Sequence, residues 1–389
     1  MKLRNIESRQ MAQIGIISIA LLSAGCTSMR LETARNQYTS GEYDKAIEEL
    51  TPIPKDNTDR VLFLMERGMV KQMASDYRGS IQDWLDAAKA AEALDLYSLT
   101  GDTPSLLIND RVMPFRGAPY ERILMRTYTA QSYMALKEWE DAAVEARNIV
   151  YMLENRDGFP DDPYSRYLAG LSFEINGDSE SATFQYRQIS NTVYGAVIQD
   201  TGTILPLTSR ITCNKTSGRQ NELVCLIGLA ILQNAGDAEP SHVEIYDGNR
   251  ILGQSHMFTD IGLLAEATRA KLELRRGAKS LLRIALKEWL IHEMVKKDKE
   301  AAAVLSVLLY GLEMEDIRRW ETLPRWLHIA RIQIPAGLKR FRLVARDNNG
   351  QIIDEQLIDS IAIKDDNIRL AICRMQGPGF KERNGKMKF

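Results

Sequence analysis

The chain has 389 residues, of which 26% are charged and 44% are hydrophobic, and its formal net charge is −2. This balance gives no indication of a nucleic-acid partner, and no glycine-rich phosphate motif indicates a cofactor. Four histidines and four cysteines show neither zinc spacing nor a recognisable catalytic arrangement, so we expect a protein that is not an enzyme.

Residues 1–25 have the three-part layout of a secretory signal. A basic start precedes an apolar run from Ile14 to Leu22, which is too short to span a bilayer, and small residues lead to Cys26. This pattern resembles the bacterial lipoprotein signal, in which the leader is cut before a cysteine that then carries acyl chains such as palmitate. The resemblance implies a lipid anchor on Cys26. Thr27 in place of Asp implies an outer-membrane location facing the periplasm. The alternative is an ordinary secretory signal in which Cys26 is incidental.

A short lipid tether is expected at residues 26–30, and helical repeats are expected at residues 31–192. Residues 41–46 resemble the turn and second helix of a tetratricopeptide (TPR) repeat, with a glycine, an aromatic and a small residue in order. The pattern recurs, more weakly in its last copy, at residues 75–80, 137–142 and 177–182.

The spacing of small residues supports four helix pairs. The small residue of the second helix falls at Ala46, Ser80, Ala142 and Ala182, with gaps of 34, 62 and 40, and the TPR period is 34. Twelve residues upstream, where a small residue should face it, stand Ala34, Gly68, Ala130 and Gly170. Four residues downstream, where a larger side chain should fill the groove between repeats, stand Leu50, Trp84 and Tyr186, whereas Ala146 in the third pair is small. We predict a curved solenoid of TPR-like pairs, and the alternative is a generic helical bundle with alanine-rich faces.

An insertion over residues 94–120 interrupts the repeats. It is rich in proline and glycine, so mostly non-helical, yet it contains enough apolar side chains that it must pack somewhere. One interpretation is that the insertion folds back over the concave face of the solenoid. The other is a partner-binding loop whose contacts are Asn109, Asp110, Arg111, Phe115 and Arg116.

The periodicity changes in the second half of the chain. After a linker at residues 193–220, residues 221–375 contain at least six short β-type segments joined by turn signals. This pattern predicts a small antiparallel β-sandwich, so the expected fold class is α+β. Residues 376–389 are expected to be a disordered tail.

Helical periodicity returns within residues 262–320, which we interpret as a helical hairpin inserted into the sandwich. Ala301–Leu312 is the longest later apolar run and is too short for a membrane span. Basic residues at intervals of four form one ridge on the first helix. The ridge is either a solvated face that pairs with acidic residues of the repeats or a contact for anionic lipid headgroups; it comprises Arg275, Lys279, Arg283 and Lys287.

Three cysteines remain after Cys26. Cys213 and Cys225 flank a polar loop, and an exported protein permits a disulfide between them. The alternative is two free thiols, with Cys225 buried in an apolar strand. Cys373 is expected in the core, because free cysteine packs like a small hydrophobic residue.

The chain as a whole resembles an uncharacterised family of bacterial lipoproteins with N-terminal TPR-like repeats. The resemblance rests on residues 109–112, 115–117 and 120–122 and on the stretch Asp316–Pro324, with the sequence DIRRWETLP. It implies no particular activity. The architecture is also loosely similar to that of TPR-bearing lipoprotein activators of penicillin-binding proteins.

Together these patterns predict an outer-membrane lipoprotein that acts as a TPR protein–protein interaction scaffold in the periplasm. The expected partners are the membrane, through the lipid on Cys26, and an envelope protein or peptide held in the concave groove. One alternative is a structural lipoprotein that links membrane and cell wall or activates cell-wall synthesis enzymes. Another is an enzyme with a site between solenoid and sandwich.

Overall fold

The computed structural model describes residues 27–54, 58–100, 113–155, 157–189, 193, 195–206, 221–230, 240–296, 301–303, 306, 318–363 and 368–376. The side chains of residues 96–100, 275–284 and 286 are also outside this description. The fold is α+β, with TPR-like helix pairs first and β-sheets with one long helix after them. Cys26, Asn109, Asp110, Arg111 and Cys213 all lie outside the described residues.

Four helix pairs occupy the described residues between 27 and 189. Consecutive pairs pack side by side, since each second helix contacts the first helix of the next pair. Their bounds are α1 (27–39) with α2 (Tyr43–Glu49), α3 (Arg60–Met73) with α4 (Tyr77–Thr100), α5 (Pro119–Ala135) with α6 (Trp139–Glu154), and α7 (Pro163–Ile175) with α8 (Ser179–Ile189).

The same turn joins the two helices of every pair. Its left-handed residue stands five positions before the small residue of the second helix, with a positive φ at Gly41, Ser75, Lys137 and Gly177. In the first pair Glu42 N–H donates to Gln37 O and Gly41 N–H to Tyr38 O, and the other three pairs repeat these two bonds. This is the Schellman motif, which satisfies the last carbonyls of a helix. Four identical turns confirm the repeat register predicted from the small residues.

The small residues of the second helices are buried, as the spacing predicts: Ala46, Ser80, Ala142 and Ala182. The upstream small residue has a different neighbour from the one expected. A β-carbon placed on Gly68 would lie 2.4 Å from Trp84 Nε1, and one on Gly170 would lie 2.7 Å from Tyr186 Cε1. Gly68 and Gly170 therefore face Trp84 and Tyr186, the large residues of the second helices, because these side chains extend back toward the first helix of the pair.

The N-terminal tether is already helical where the structure describes it. Residues 27–30 belong to α1 and not to an extended tether. Arg30 fixes this turn, since its guanidinium donates to Glu49 O at 2.8 Å and to Pro52 O at 3.1 Å. The first part of the 94–120 insertion is helical as well, because α4 continues to Thr100.

The described part of the second half contains two larger sheets and a small one. The strands are β1 (Ala196–Ile198), β2 (Ile204–Pro206), β3 (Glu222–Leu229), β4 (Pro240–Asp247), β5 (Arg250–Gln254), β6 (His256–Asp260), β7 (Trp326–Gln333), β8 (Arg340–Asp347), β9 (Ile352–Asp359), β10 (Ile361–Ala362) and β11 (Ile368–Met375). The five-stranded sheet has the order β10-β11-β3-β7-β6 and the four-stranded sheet β5-β4-β8-β9, while β1 pairs with β2.

One strand pair departs from the expected antiparallel arrangement. β11 runs parallel to β3, with Cys225 opposite Ala371 and Glu222 opposite Ile368. The chain leaves the five-stranded sheet after β7, forms β8 and β9 in the other sheet and then returns. The last strand therefore enters beside β3 in the same direction, which only a long crossover allows.

The five-stranded sheet is covered on both faces. Along β3, Leu223 and Ile227 point into the core between the two sheets, whereas Val224 and Leu226 join the core shared with the helix pairs. Burial on both faces explains why this strand is a continuous apolar run without alternation. The shared core joins the solenoid and the sandwich.

A long helix, α9 (Ile261–Val295), follows directly after β6. Asp260 caps it by accepting the Leu263 N–H at 3.2 Å, and Ile261 and Leu264 pack into the shared core. Residues 301–303 and 306 are helical, as the hairpin prediction requires at these positions, whereas residues 318–320 are not helical. Among the described residues, no helix has both the length and the apolar character needed to cross a bilayer.

Candidate functional site

The most elaborate site in the described chain is a groove of the solenoid that the chain itself fills. We call residues 318–323 the groove segment; it lies against the first helices α1, α3 and α5. The side chains that define the groove are Arg35, Glu66, Trp84, Glu121 and Tyr128, which belong to the first three helix pairs.

Two buried carboxylates hold the main chain of the groove segment. Glu121 accepts the Trp320 N–H at 2.7 Å. Glu66 accepts the N–H groups of Glu321 at 3.1 Å and Thr322 at 3.2 Å. Both carboxylates are only 1% exposed, so these charge-assisted bonds form in a region that excludes water.

Carbonyl oxygens of the same segment are bound as well. Arg35 donates to Glu66 Oε1 at 2.6 Å and to Arg319 O at 3.0 Å, so it neutralises the carboxylate and holds the segment at once. Thr322 O accepts from the guanidinium of Arg374 on β11 and from Tyr38 OH at 3.4 Å. The segment is therefore bound from both sides, by the helices and by the sheet.

The side chain of Trp320 occupies an aromatic slot. Its ring centroid lies 6.2 Å from that of Trp84 and 6.0 Å from that of Tyr128, with edge-on geometry in both pairs. Its indole Nε1–H donates to Thr322 Oγ1 at 2.9 Å, which satisfies a donor that is otherwise buried. At 3% exposure Trp320 is part of the shared core.

Arg318 holds the N-terminal end of the groove segment. Its guanidinium donates to Asp59 Oδ1 at 2.8 Å and to Met113 O at 2.7 Å, and it lies 5.8 Å from the centre of the Phe115 ring. Phe115 is buried, and its N–H donates to Thr58 O at 2.6 Å. The described end of the insertion thus folds back onto the solenoid, where it binds Arg318.

Burial raises the pKa of Glu121 to about 7. The neighbouring charge of Glu66 also raises this pKa, while the N–H groups of Trp320 and Ala118 lower it. Ala118 N–H donates to Glu121 at 2.7 Å at the start of α5. The carboxylate that holds Trp320 is therefore poised to change its protonation near neutral pH.

A second polar contact joins solenoid and sandwich at α7. Thr259 on β6 donates to Asp162 Oδ1 at 2.5 Å, and Arg331 on β7 donates to Glu174 at 2.7 Å and 2.8 Å. Arg331 also donates to Glu222 on β3 at 2.7 Å. These bonds fix the last helix pair on the sheet, as the groove segment fixes the first three.

The cavity between solenoid and sheet is small. Its volume is about 30 Å³, room for about one water molecule, and Tyr128, Tyr164 and Arg374 contribute polar walls. No cluster of three metal-ligating side chains occurs among the described residues.

The structure describes two of the five proposed partner-binding residues. Phe115 is buried against Arg318 and so does not offer its ring to a partner. Arg116 is partly exposed and pairs with Asp95 at 3.6 Å, on the last turns of α4. The described part of the insertion supports the fold-back interpretation at these positions.

The described cysteines and the described lysine of the basic ridge are all buried. Cys225 is a free, fully buried thiol, and Cys213, its partner in the predicted disulfide, lies outside the described residues. Cys373 is also free and buried, in the core between the sheets. Of the ridge, Lys287 is the residue whose side chain is described, and it is 3% exposed, so it does not lie on an open solvated face.

Sequence reasoning did not single out Glu66, Glu121 or Trp320 as a site. A signal was nevertheless present, because two motifs that carry the family resemblance meet here. Glu121 from the first accepts the N–H of Trp320 from the second, across 199 positions of sequence. Periodicity alone gives no information about such a distant contact.

Neither a protein-family model nor a curated protein sequence matches this chain. Solved structures with TPR-like repeats do match. A kinesin light chain repeat protein of Podosopora anserina is 14% identical with a TM-score of 0.29, covering 41% of this chain and 71% of its own. A thermophilic TPR protein of Thermus thermophilus is 12% identical with a TM-score of 0.20, covering 41% of this chain and 88% of its own.

A third similar structure is the Rap conjugation gene regulator of plasmid pLS20 in complex with the Phr* peptide. It is 16% identical with a TM-score of 0.27 and covers 41% of this chain and 40% of its own. Scores at this level carry no functional conclusion. The assignment of TPR-like repeats rests on the four identical turns and the buried small residues of this chain.

Proposed function

We propose that this protein is a lipid-anchored scaffold of the outer membrane that faces the periplasm and binds polypeptide segments through its TPR-like solenoid, without catalysis. The observation that carries the proposal is the groove itself. Its carboxylates and arginines bind main-chain N–H and C=O groups of residues 318–323, which is the chemistry of peptide recognition.

The membrane anchor is supported by the signal pattern and by the position of α1. The helix includes Thr27, the residue directly after Cys26, and Thr27 is 9% exposed. An acylated Cys26 would therefore place the solenoid at the bilayer surface with no flexible spacer between them. Stable anchoring requires more than one acyl chain, as lipoproteins carry.

The anchor is tested with Cys26→Ser, and Cys213→Ser is the matched control. We expect metabolic labelling with an alkyne fatty acid to mark the wild type and Cys213→Ser, and not Cys26→Ser. Outer-membrane fractions should contain the first two and lose the third. Labelling of Cys26→Ser, or an unmodified N-terminus on the mature wild type, would contradict the anchor.

The scaffold is tested by photo-crosslinking in intact cells. Exposed side chains on α6 and α8 provide positions for the crosslinker, namely Tyr151 at 70% and Phe184 at 52% exposure, with Leu357 at 64% on the sandwich as the control. We expect the helix positions to capture the same envelope protein, with capture lost in Cys26→Ser. Co-sedimentation with peptidoglycan and no protein crosslink would instead support the wall-linking alternative.

A further inference from the structure

We propose that the groove segment is an exchangeable internal ligand, and that the external ligand of the groove is a polypeptide segment with the pattern Arg-x-Trp-x-Thr that adopts the same turn. This inference deepens the proposed scaffold function, on which it rests, by naming the partner class. It follows from how the groove divides its contacts between main chain and side chains.

Main-chain contacts supply binding that any segment with the same backbone conformation can satisfy. Three N–H groups are accepted by Glu66 and Glu121, and two carbonyl oxygens are bound by Arg35 and by Arg374 with Tyr38. None of these bonds depends on the side chains of the ligand. A partner segment that enters the groove can therefore replace them one for one, so neither carboxylate is left without donors.

Side-chain contacts supply the selectivity. The aromatic slot between Trp84 and Tyr128 accepts an indole, and its N–H is satisfied by a hydroxyl two residues later, as Thr322 does for Trp320. Two residues before the indole, a guanidinium reaches Asp59 and Met113 O, as Arg318 does. A ligand that lacks the indole loses the most buried contact of the set.

The groove segment is open to exchange because it is irregular and reaches the surface. Residues 318–320 belong to no helix or strand, and Arg319 and Glu321 have side chains that are 64% and 42% exposed. Lifting the segment breaks no strand ladder, since β7 begins only at Trp326. Water can then rehydrate Glu66 and Glu121 during the exchange.

Tethering gives the internal ligand an advantage over an external one. A covalently linked segment competes at an effective concentration that can reach millimolar, so the wild type should bind an external peptide weakly. Loss of the internal indole should remove most of that competition. The apparent affinity for an external peptide should then rise although no groove residue has changed.

The probe is an N-terminally fluorescent, C-terminally amidated peptide with the sequence of residues 316–324, and the proteins are full-length chains. We expect Trp320→Ala to bind the peptide at least tenfold more tightly than the wild type by fluorescence anisotropy. Trp289→Ala, at a 59% exposed tryptophan of α9, is the matched control and should bind like the wild type. A peptide in which Ala replaces Trp should bind to none of the three proteins.

A folded Trp320→Ala protein that fails to bind the peptide, or that binds both peptides equally, would overturn the inference. A second measurement on the wild type covers the case in which the variant does not fold. Native-state hydrogen exchange should show the amides of Trp320, Glu321 and Thr322 opening with a smaller denaturant dependence than the amides of β7.

If those three amides exchange hydrogen only through global unfolding, the groove segment is a fixed part of the core. That result would refute its displacement by an external ligand. The same result would also remove the groove as a partner site, whereas capture of an envelope protein from α6 and α8 would still support a scaffold that binds through other faces of the solenoid.

Discussion

The indole of Trp84 occupies the space in which a side chain on Gly68 would stand. A β-carbon on Gly68 would lie 2.4 Å from Trp84 Nε1, and the same indole N–H donates to Met65 O at 3.2 Å. Trp84 also contributes to the candidate site, because its ring forms one wall of the slot for Trp320. A glycine in α3 thus positions an aromatic side chain of the groove.

Gly68→Ala should destabilise the protein by about 1–3 kcal/mol, because the added methyl group overpacks a filled site. The same change in a Trp84→Leu background should be neutral or stabilising, since alanine is the better helix former. Urea denaturation of the four proteins measures this double-mutant cycle. The first repeat already has the Ala–Leu combination, at Ala34 and Leu50. An equal loss of stability in both backgrounds would contradict the proposed contact.

The pKa of Glu121, raised by burial to about 7, predicts a pH dependence of stability. Between pH 4.5 and 7 the folded state holds a proton that the unfolded chain has released, so the free energy of unfolding falls as the pH rises. The loss is about 1.4 kcal/mol per pH unit and about 3 kcal/mol across the window. The neutral amide in Glu121→Gln should abolish this contribution.

Denaturation between pH 4.5 and about pH 8 measures this contribution as the difference between variant and wild type. The stability of Glu121→Gln relative to the wild type should rise with pH and level off above about 7. Glu180→Gln, at an exposed position of α8, is the matched control. Parallel curves for wild type and Glu121→Gln would refute the raised pKa.

Arg331 connects the last helix pair to the sheet and should contribute strongly to stability. It is 9% exposed and binds Glu174 of α7 and Glu222 of β3, each at 2.7 Å. Arg331→Met should cost about 3 kcal/mol or more, because it leaves two carboxylates without their cation. The matched control is Arg340→Met, which removes the surface pair with Asp359 and should have no measurable effect in chemical denaturation. Equal effects of the two changes would contradict the bridging role.

The thiols of Cys225 and Cys373 should be unreactive in the native protein and reactive after unfolding. Both side chains are buried, and burial raises the pKa of each thiol well above its usual range. Iodoacetamide should label neither in buffer and both in denaturant without reductant, as peptide mass spectrometry would show. Blockage of Cys225 until reductant is added would favour the disulfide with Cys213.

The repeat register was predictable because its determinants are local. Each helix pair depends on residues that are close together in the chain, such as Ala34 with Ala46. The repeat spacing can therefore be read directly from the sequence. The presence of several short strands within residues 221–375 was predictable from turn signals and β-type segments for the same reason. The neighbour of Gly68 was not predicted, because residue spacing does not show how far the side chain of Trp84 extends.

The candidate site was not predictable in this way. Glu66 and Thr322 are 256 positions apart, and Glu121 and Trp320 are 199 apart, and each pair is joined by a hydrogen bond to main chain. The residue type does not show whether a main-chain N–H will donate to a distant carboxylate. The parallel pairing of β3 with β11 is equally distant and depends on the route of the chain through the other sheet.

The sequence by itself therefore determined the helix pairs, the turns between them and most of the strands, because those features depend on side chains close together in the chain. It also contained the signal pattern on which the anchor proposal at Cys26 depends. Only the tertiary structure decided that residues 318–323 fill the groove and that Glu121 is buried against Trp320. Those contacts form when solenoid and sandwich share one core, and the desolvation that raises the pKa of Glu121 arises only there.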